Sequence, residues 1–180
     1  IAQCLVGSEM CIRDSFYLTQ NHPLTTRLKG IGLTMEGSEN NPVMYELMCE
    51  LPWRPEKFTK ESWLKDYLFA RYGARDEKIE QAWSLLANGI YNCPPDNNQQ
   101  GTHESVFCGR PSMDCFQVST WSQMQNYYDP ATTEEAARLM LEAAGNYRGN
   151  NNFEYDLIDI VRQAVADKAR IVYNLSLIHI

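Results

Sequence analysis

The sequence has no concentrated run of Lys or Arg. Its 16 basic residues are scattered among 23 acids, for a formal net charge of -7. Binding nucleic-acid phosphates needs a concentrated positive face, so no nucleic-acid partner is expected. No apolar stretch approaches the ~20 residues that span a bilayer, so no membrane span is expected either. The first residues, IAQCLVGSEMC, have neither the basic start nor the unbroken apolar core of a secretory leader. There is no C-x-x-C pair, and none of the three histidines stands at zinc-ligand spacing from any of the six cysteines, so no metal and no other cofactor is expected. Cys93, Cys108 and Cys115 share one polar stretch; a disulfide in an oxidising compartment and free thiols behaving as small apolar residues both remain open there. No repeat recurs at a fixed period.

What is present describes a globular chain. The 180 residues are 44% hydrophobic, 22% charged and 11% aromatic, enough for a domain with its own core. The two ends read differently. Residues 1–15, IAQCLVGSEMCIRDS, and residues 175–180, LSLIHI, resemble the translated sequencing-adapter strings found at the ends of gene predictions from environmental DNA. They are expected to be an artefactual leader and tail, which also discounts the glycosylation triplet Asn174-Leu175-Ser176.

Between these ends the pattern is mainly helical. Ile31 to Met35, opened by Gly30 and Gly32 and closed by Glu36-Gly37, reads as one buried strand. A helix follows, with Asn41 able to cap it, Pro42 at its first position, and Val43, Leu47 and Leu51 on one face until Pro52 ends it. A second helix is expected from Lys60 to Tyr72, capped by Thr59, stopped by Gly73, and apolar at Trp63, Leu64, Tyr67, Leu68 and Ala70. A third covers Glu77 to Tyr91, with Ile79, Ala82, Trp83, Leu86 and Ile90 at helical spacing. Periodicity is lost from Asn92 to Pro130, which implies a long loop. Thr132 and Glu135 form a capping box for a fourth helix ending at Gly145. The fifth runs from Glu154 to Tyr173 with Leu157, Val161, Ala164, Val165 and Val172 facing inward, and Asp156 and Asp159 serving as helix-start acids. The fold class expected is mainly α: one terminal strand/helix unit of an incomplete (β/α) barrel (residues 16–55), followed by an all-α domain (residues 56–174).

Glu36 has a position suited to chemistry. It ends an apolar strand just before a glycine, at the sheet edge where α/β barrels collect their active sites. Position alone favours a structural acid. Glu39 reads as a surface acid in the turn, and Glu46, Glu50 and Arg54 as an exposed charged ladder. His22 and His103 lie in polar loops and His179 in the tail, none beside a Ser or Cys nucleophile. Trp63 and Trp83 fall on apolar helix faces and read as core.

The string GIGLTMEGSENNPVMYELMCELPWR, residues 30–54, resembles the core motif of the α-N-acetylglucosaminidases, glycoside hydrolase family 89. The likeness continues in order through RYG (71–73), AWSLL and YN (82–92), RPS (110–112), YDP (128–130) and YDLIDIVRQAVAD (155–167), so it spans most of residues 28–173. The resemblance implies a retaining exo-glycosidase that removes terminal, non-reducing α-linked N-acetylglucosamine from glycoconjugates. It makes Glu36 the nucleophile, although Met35 stands where family members often carry Pro. A retaining mechanism pairs that nucleophile with an acid whose carboxyl lies about 5–5.5 Å away. In the family the acid lies on an earlier barrel strand, before anything present here, so the chain itself is expected to be inactive. It is also expected to expose apolar surface that meets the barrel of the same polypeptide. The helical region corresponds to the family's all-α domain, which shapes the sugar pocket; Asn41, Trp53, Arg54 and Arg110 are then candidate pocket or supporting residues. The parent would be secreted or periplasmic in a bacterium, and lysosomal in animal relatives. A non-catalytic helical carbohydrate-binding or interaction module is the competing reading, in which Glu36 is incidental.

Overall fold

The computed structural model describes residues 16–23, 30–32, 42–54, 56–92 and 126–177. Glu36, Asn41 and Arg110 lie outside the described residues, as do Glu39, Cys93, His103, Cys108 and Cys115. Five α-helices of known extent make up the architecture: α1 (Pro42–Glu50), α2 (Lys60–Tyr72), α3 (Glu77–Asn88), α4 (Pro130–Ala143) and α5 (Asn151–Leu177). Single 3-10 turns, Leu51–Trp53 and Ala144–Tyr147, extend α1 and α4. No strand occurs among the described residues. Of the expected strand, Leu33 to Met35 lies outside them; Ile31 is inside and 37% exposed rather than buried, since no described segment pairs with it.

Local chemistry sets most boundaries. The Thr59 side chain accepts from Ser62 N–H at the start of α2. Gly73 closes that helix at φ +79°, a left-handed conformation that glycine adopts without strain, with its N–H on Phe69 O. Asp76 caps α3 through Lys78 and Ile79 N–H. That helix ends at Asn88, three residues before the expected Tyr91, because Gly89 breaks it. A Cβ at Gly89 would sit 2.9 Å from Thr132 Oγ1, so glycine permits the end of α3 to meet the start of α4 closely.

The expected Thr132–Glu135 capping box does not form. Asp129 caps α4 instead by accepting from Ala131 N–H, with Pro130 at the first helical position. Glu135 pairs with Arg138 (2.6 and 2.8 Å), and the Thr132 hydroxyl donates to Asp129 O. The last helix begins at Asn151, where Asn150 Oδ1 accepts from Phe153 N–H, and runs on to Leu177.

Helix α4 lies between α3 and α5, and α2 packs against both of those. Trp63, Leu64, Tyr67, Leu68, Ile79, Trp83, Leu86, Met140 and Phe153 fill the main core, so Trp63 and Trp83 are core residues as expected. Trp63 stacks on Tyr67, whose edge meets Trp83, and Trp83 stacks on Tyr91 (3° between planes). Two details differ from the sequence reading. Ala70 is exposed, and Tyr72 takes the buried place near the end of α2. Val165 and Val172 point outward, while Phe153, Asp156, Ile160 and Asp167 form the buried face of α5.

Candidate functional site

The described part of the candidate site is helix α1 and the joint that follows it. Val43 and Leu47 are buried in the core of the helical domain. Met48 and Leu51 face the other way, forming a small second core with Phe16 and Tyr17 from the helical stretch at residues 16–20. Helix α1 is therefore gripped on two sides. At its C-terminal end the Glu50 carboxylate accepts two hydrogen bonds, from Arg54 Nε (2.8 Å) and Trp63 Nε1 (3.0 Å). Glu50 and Arg54 are thus half-buried parts of a joint, not an exposed ladder, because the indole of Trp63 reaches Glu50 from α2. The Arg54 guanidinium also lies over the Phe58 ring, 5.1 Å from its centroid. The Tyr17 hydroxyl donates to Glu56 O (2.7 Å) and to Arg54 O (3.3 Å), strapping the connection to the first helical stretch.

Of the sequence-predicted site residues, only Trp53 and Arg54 are described. Trp53 is 84% exposed. Both follow the C-terminal end of α1, whereas Glu36 and Asn41 precede its N-terminal end in sequence. The nine residues of α1 advance about 13 Å along the axis.

Sequence reasoning missed two buried aspartates. Asp156, read as a helix-start acid, is 3% exposed. Arg71 grips it through Nε (2.5 Å) and Nη2 (2.8 Å), Tyr72 OH donates to it (2.7 Å), and Trp83 Nε1 donates to Tyr72 OH (3.1 Å). The hydrogen bond to Asp156 holds the Arg71 guanidinium well above its ordinary pKa. Burial, with Asp156 beside it, does the same to the Tyr72 phenol. Asn150 Nδ2 and Asn152 Nδ2 add bonds to Tyr72 O and Arg71 O, completing a clasp between the end of α2 and the start of α5.

Asp167 is the second hub, 2% exposed. It accepts from Thr133 Oγ1 (2.6 Å), Tyr128 OH (2.9 Å), Gln163 Nε2 (3.0 Å) and Asn126 Nδ2 (3.1 Å). Burial, then the Asp167 charge, raises the Tyr128 pKa. Together with Tyr127 OH, which donates to Ile90 O, this hub fixes the chain entering α4. The motif blocks RYG and YDP each end in contact with the long YDLIDIVRQAVAD helix. These aspartates are scaffold, and the signal for them was the pairing of distant blocks rather than any local pattern.

Among the described residues no group of three or more His, Cys, Asp or Glu could hold a metal ion, and no helix is long and apolar enough to cross a membrane.

Two family models match the chain in series: the α-N-acetylglucosaminidase TIM-barrel domain over residues 3–55, and the α-N-acetylglucosaminidase C-terminal domain over residues 63–177. The human α-N-acetylglucosaminidase is 33% identical over 146 residues, covering 81% of this chain and 19% of the human protein. A family 89 glycoside hydrolase from Clostridium perfringens, solved with 2-acetamido-1,2-dideoxynojirimycin, matches 94% of the chain at TM-score 0.82 and 26% identity. The same Clostridium protein with two glutamate-to-glutamine substitutions, solved with its substrate GlcNAc-α-1,4-galactose, matches 96% at TM-score 0.78 and 26% identity. Helices arranged in this way, after a stretch that matches the barrel-domain model, place the chain in a family of glycoside hydrolases. The chain belongs to the α-N-acetylglucosaminidase family, glycoside hydrolase family 89. It spans about a fifth of the length of these relatives (19% of the human protein, 18% and 19% of the Clostridium structures).

Proposed function

We propose that this chain is the stretch of a retaining exo-α-N-acetylglucosaminidase that carries the nucleophile Glu36 and the opening helices of the C-terminal domain. The observation that carries this reading is the order of the two family matches: the barrel-domain match over 3–55, which contains the Met35-Glu36-Gly37 triplet, followed by the C-terminal-domain match over 63–177. In the double-displacement reaction the Glu36 carboxylate attacks the anomeric carbon of the terminal sugar while a protonated carboxyl delivers its proton to the departing glycosidic oxygen. Water then releases the sugar, with the second carboxyl acting as base. That second carboxyl comes from the rest of the barrel of the same polypeptide, and the 180-residue chain by itself turns over no substrate. The Clostridium enzyme solved with its substrate carries two glutamate-to-glutamine substitutions, in keeping with a mechanism built on two carboxyls.

The scissile class is a terminal α-linked GlcNAc, after the relatives' printed activity and complex. Extracytoplasmic action, secreted or periplasmic, suits a glycoconjugate substrate. Asn41, directly before α1, and Arg110 are assigned to the sugar pocket. Trp53 and Arg54, beyond the C-terminal end of α1, are assigned to support of the joint between barrel and helical domain, in keeping with the contacts of Arg54 to Glu50 and Phe58.

The test is a chimera in which residues 16–174 replace the matching segment of the Clostridium enzyme. Hydrolysis of an α-N-acetylglucosaminide by the chimera, abolished in Glu36→Gln, is the expected result. Undiminished hydrolysis by Glu36→Gln would favour the binding-module reading and remove Glu36 from the chemistry.

A further inference from the structure

Two kinds of contact hold α1 to the helical domain. Val43 and Leu47 are buried in its core, but apolar burial has no direction and leaves a helix free to slide and tilt by small amounts. A directional contact crosses from α2: Trp63 Nε1 donates to Glu50 Oε2 at 3.0 Å. Trp63 is fully buried and stacks on Tyr67, whose edge meets Trp83. The Trp83 indole in turn donates to Tyr72 OH, which donates to Asp156. Trp63 is thus fixed to the clasp between α2 and α5, and Glu50 is fixed to Trp63. The same Glu50 oxygen accepts from Arg54 Nε, so the end of α1 and the chain leaving it share one acceptor. Glu50 lies in the stretch that matches the barrel domain, and Trp63 opens the stretch that matches the C-terminal domain, so this bond joins the two.

We propose that Glu50 is a positioning residue: its hydrogen bond from Trp63 sets the tilt of α1, and through α1 the placement of the segment that carries Glu36. This builds on the reading of Glu36 as the nucleophile. Asn41 leads directly into Pro42, the first residue of α1, so α1 anchors the chain that follows Glu36. Glu50 is the last residue of the same helix. Over the length of α1, about 13 Å, a tilt of about 5° pivoting on Glu50 moves Pro42 by about 1 Å. A misplacement of about 1 Å costs on the order of a hundredfold in rate when it reaches the reacting groups. The role of Glu50 is therefore to hold α1 in place, with no part in the chemistry.

Two measurements test this. In the 180-residue chain, hydrogen exchange of the Trp63 indole N–H and of the α1 amides reads the bond itself. Glu50→Leu should speed both at least about tenfold, whereas Glu50→Gln, whose amide oxygen still accepts from the indole, should leave them within about threefold. In the Clostridium chimera carrying residues 16–174, assayed well below its melting temperature, Glu50→Leu should lower kcat about ten- to a hundredfold with KM within about threefold. The lost interaction then counts only as the nucleophile attacks. Glu50→Gln should keep most of the rate. Trp63→Phe, which removes the indole N–H and keeps a ring, should match Glu50→Leu, and the double variant should lose no more than the worse single. Destabilisation alone would lower Tm and leave kcat per folded molecule as it was. Unchanged exchange in Glu50→Leu overturns the latch, and this arm decides it whether or not the chimera turns over. Full kcat in Glu50→Leu, beside a rate lost in Glu36→Gln, overturns this proposal alone. A rate kept in Glu36→Gln overturns the nucleophile reading and this proposal with it.

Discussion

Substituting Asp156 by Leu should be among the most damaging single changes in the helical domain. Its carboxylate is 3% exposed and its partner Arg71 is 15% exposed, so neither charge is well screened by water. The substitution strands the Arg71 guanidinium, which loses both of its carboxylate bonds, and takes away the acceptor of Tyr72 OH. Removing one member of a buried ion pair destabilises by about 3–5 kcal/mol. For a chain of 180 residues that is a fall in Tm of roughly 6–20 °C, at about 2–4 °C per kcal/mol. Thermal unfolding followed by circular dichroism reads it directly. The same reasoning makes a second, less intuitive demand. Arg71→Met together with Asp156→Leu should lose less stability than Asp156→Leu alone, since no charge is then left buried without a partner. If the single variant melts within a degree or so of the parent, or the double variant loses the sum of the two singles, the clasp does not work as described.

Three further outcomes follow from the same geometry. Thr133→Val and Tyr128→Phe each leave the buried Asp167 carboxylate three of its four donor side chains, and each should lower stability by about 1–3 kcal/mol in urea unfolding. Stability should decline above about pH 10, where unfolded tyrosine ionises. Folding holds the Tyr72 and Tyr128 phenols in the neutral form, with raised pKa values, so their contribution is fully present below that pH and is lost as pH climbs from there toward the folded-state values. Urea midpoints measured at increasing alkaline pH should fall less steeply in Tyr72→Phe than in the parent.

The legible features were the local ones. Helix α2 could be bounded from Thr59 and Gly73 because a cap hydroxyl and a left-handed glycine act within a few residues. At α4 the Thr132–Glu135 pattern gives way to Asp129-Pro130, because proline's fixed φ suits the first helical position three residues earlier. Asp156 sits 85 residues from Arg71 in sequence, and no pattern around it marks a buried acid. An acid in the first turns of a helix has a sufficient explanation in the helix dipole, and that explanation hid the ion pair. Val165 and Val172 were assigned inward because α5 has two apolar stripes, and periodicity alone cannot say which one meets the core. Glu36 was legible only through its family resemblance, for its position at a strand end is equally that of a structural acid.

As proposed above, Glu36 acts as the glycosidase nucleophile. Its most direct test is the turnover number and product anomer of the Clostridium chimera carrying residues 16–174, with and without Glu36→Gln. A retaining nucleophile at Glu36 gives an α-configured GlcNAc product from the unsubstituted chimera and a loss of at least ~1,000-fold in kcat in the variant. A β-configured product, or a Glu36→Gln variant that keeps its rate, would contradict it.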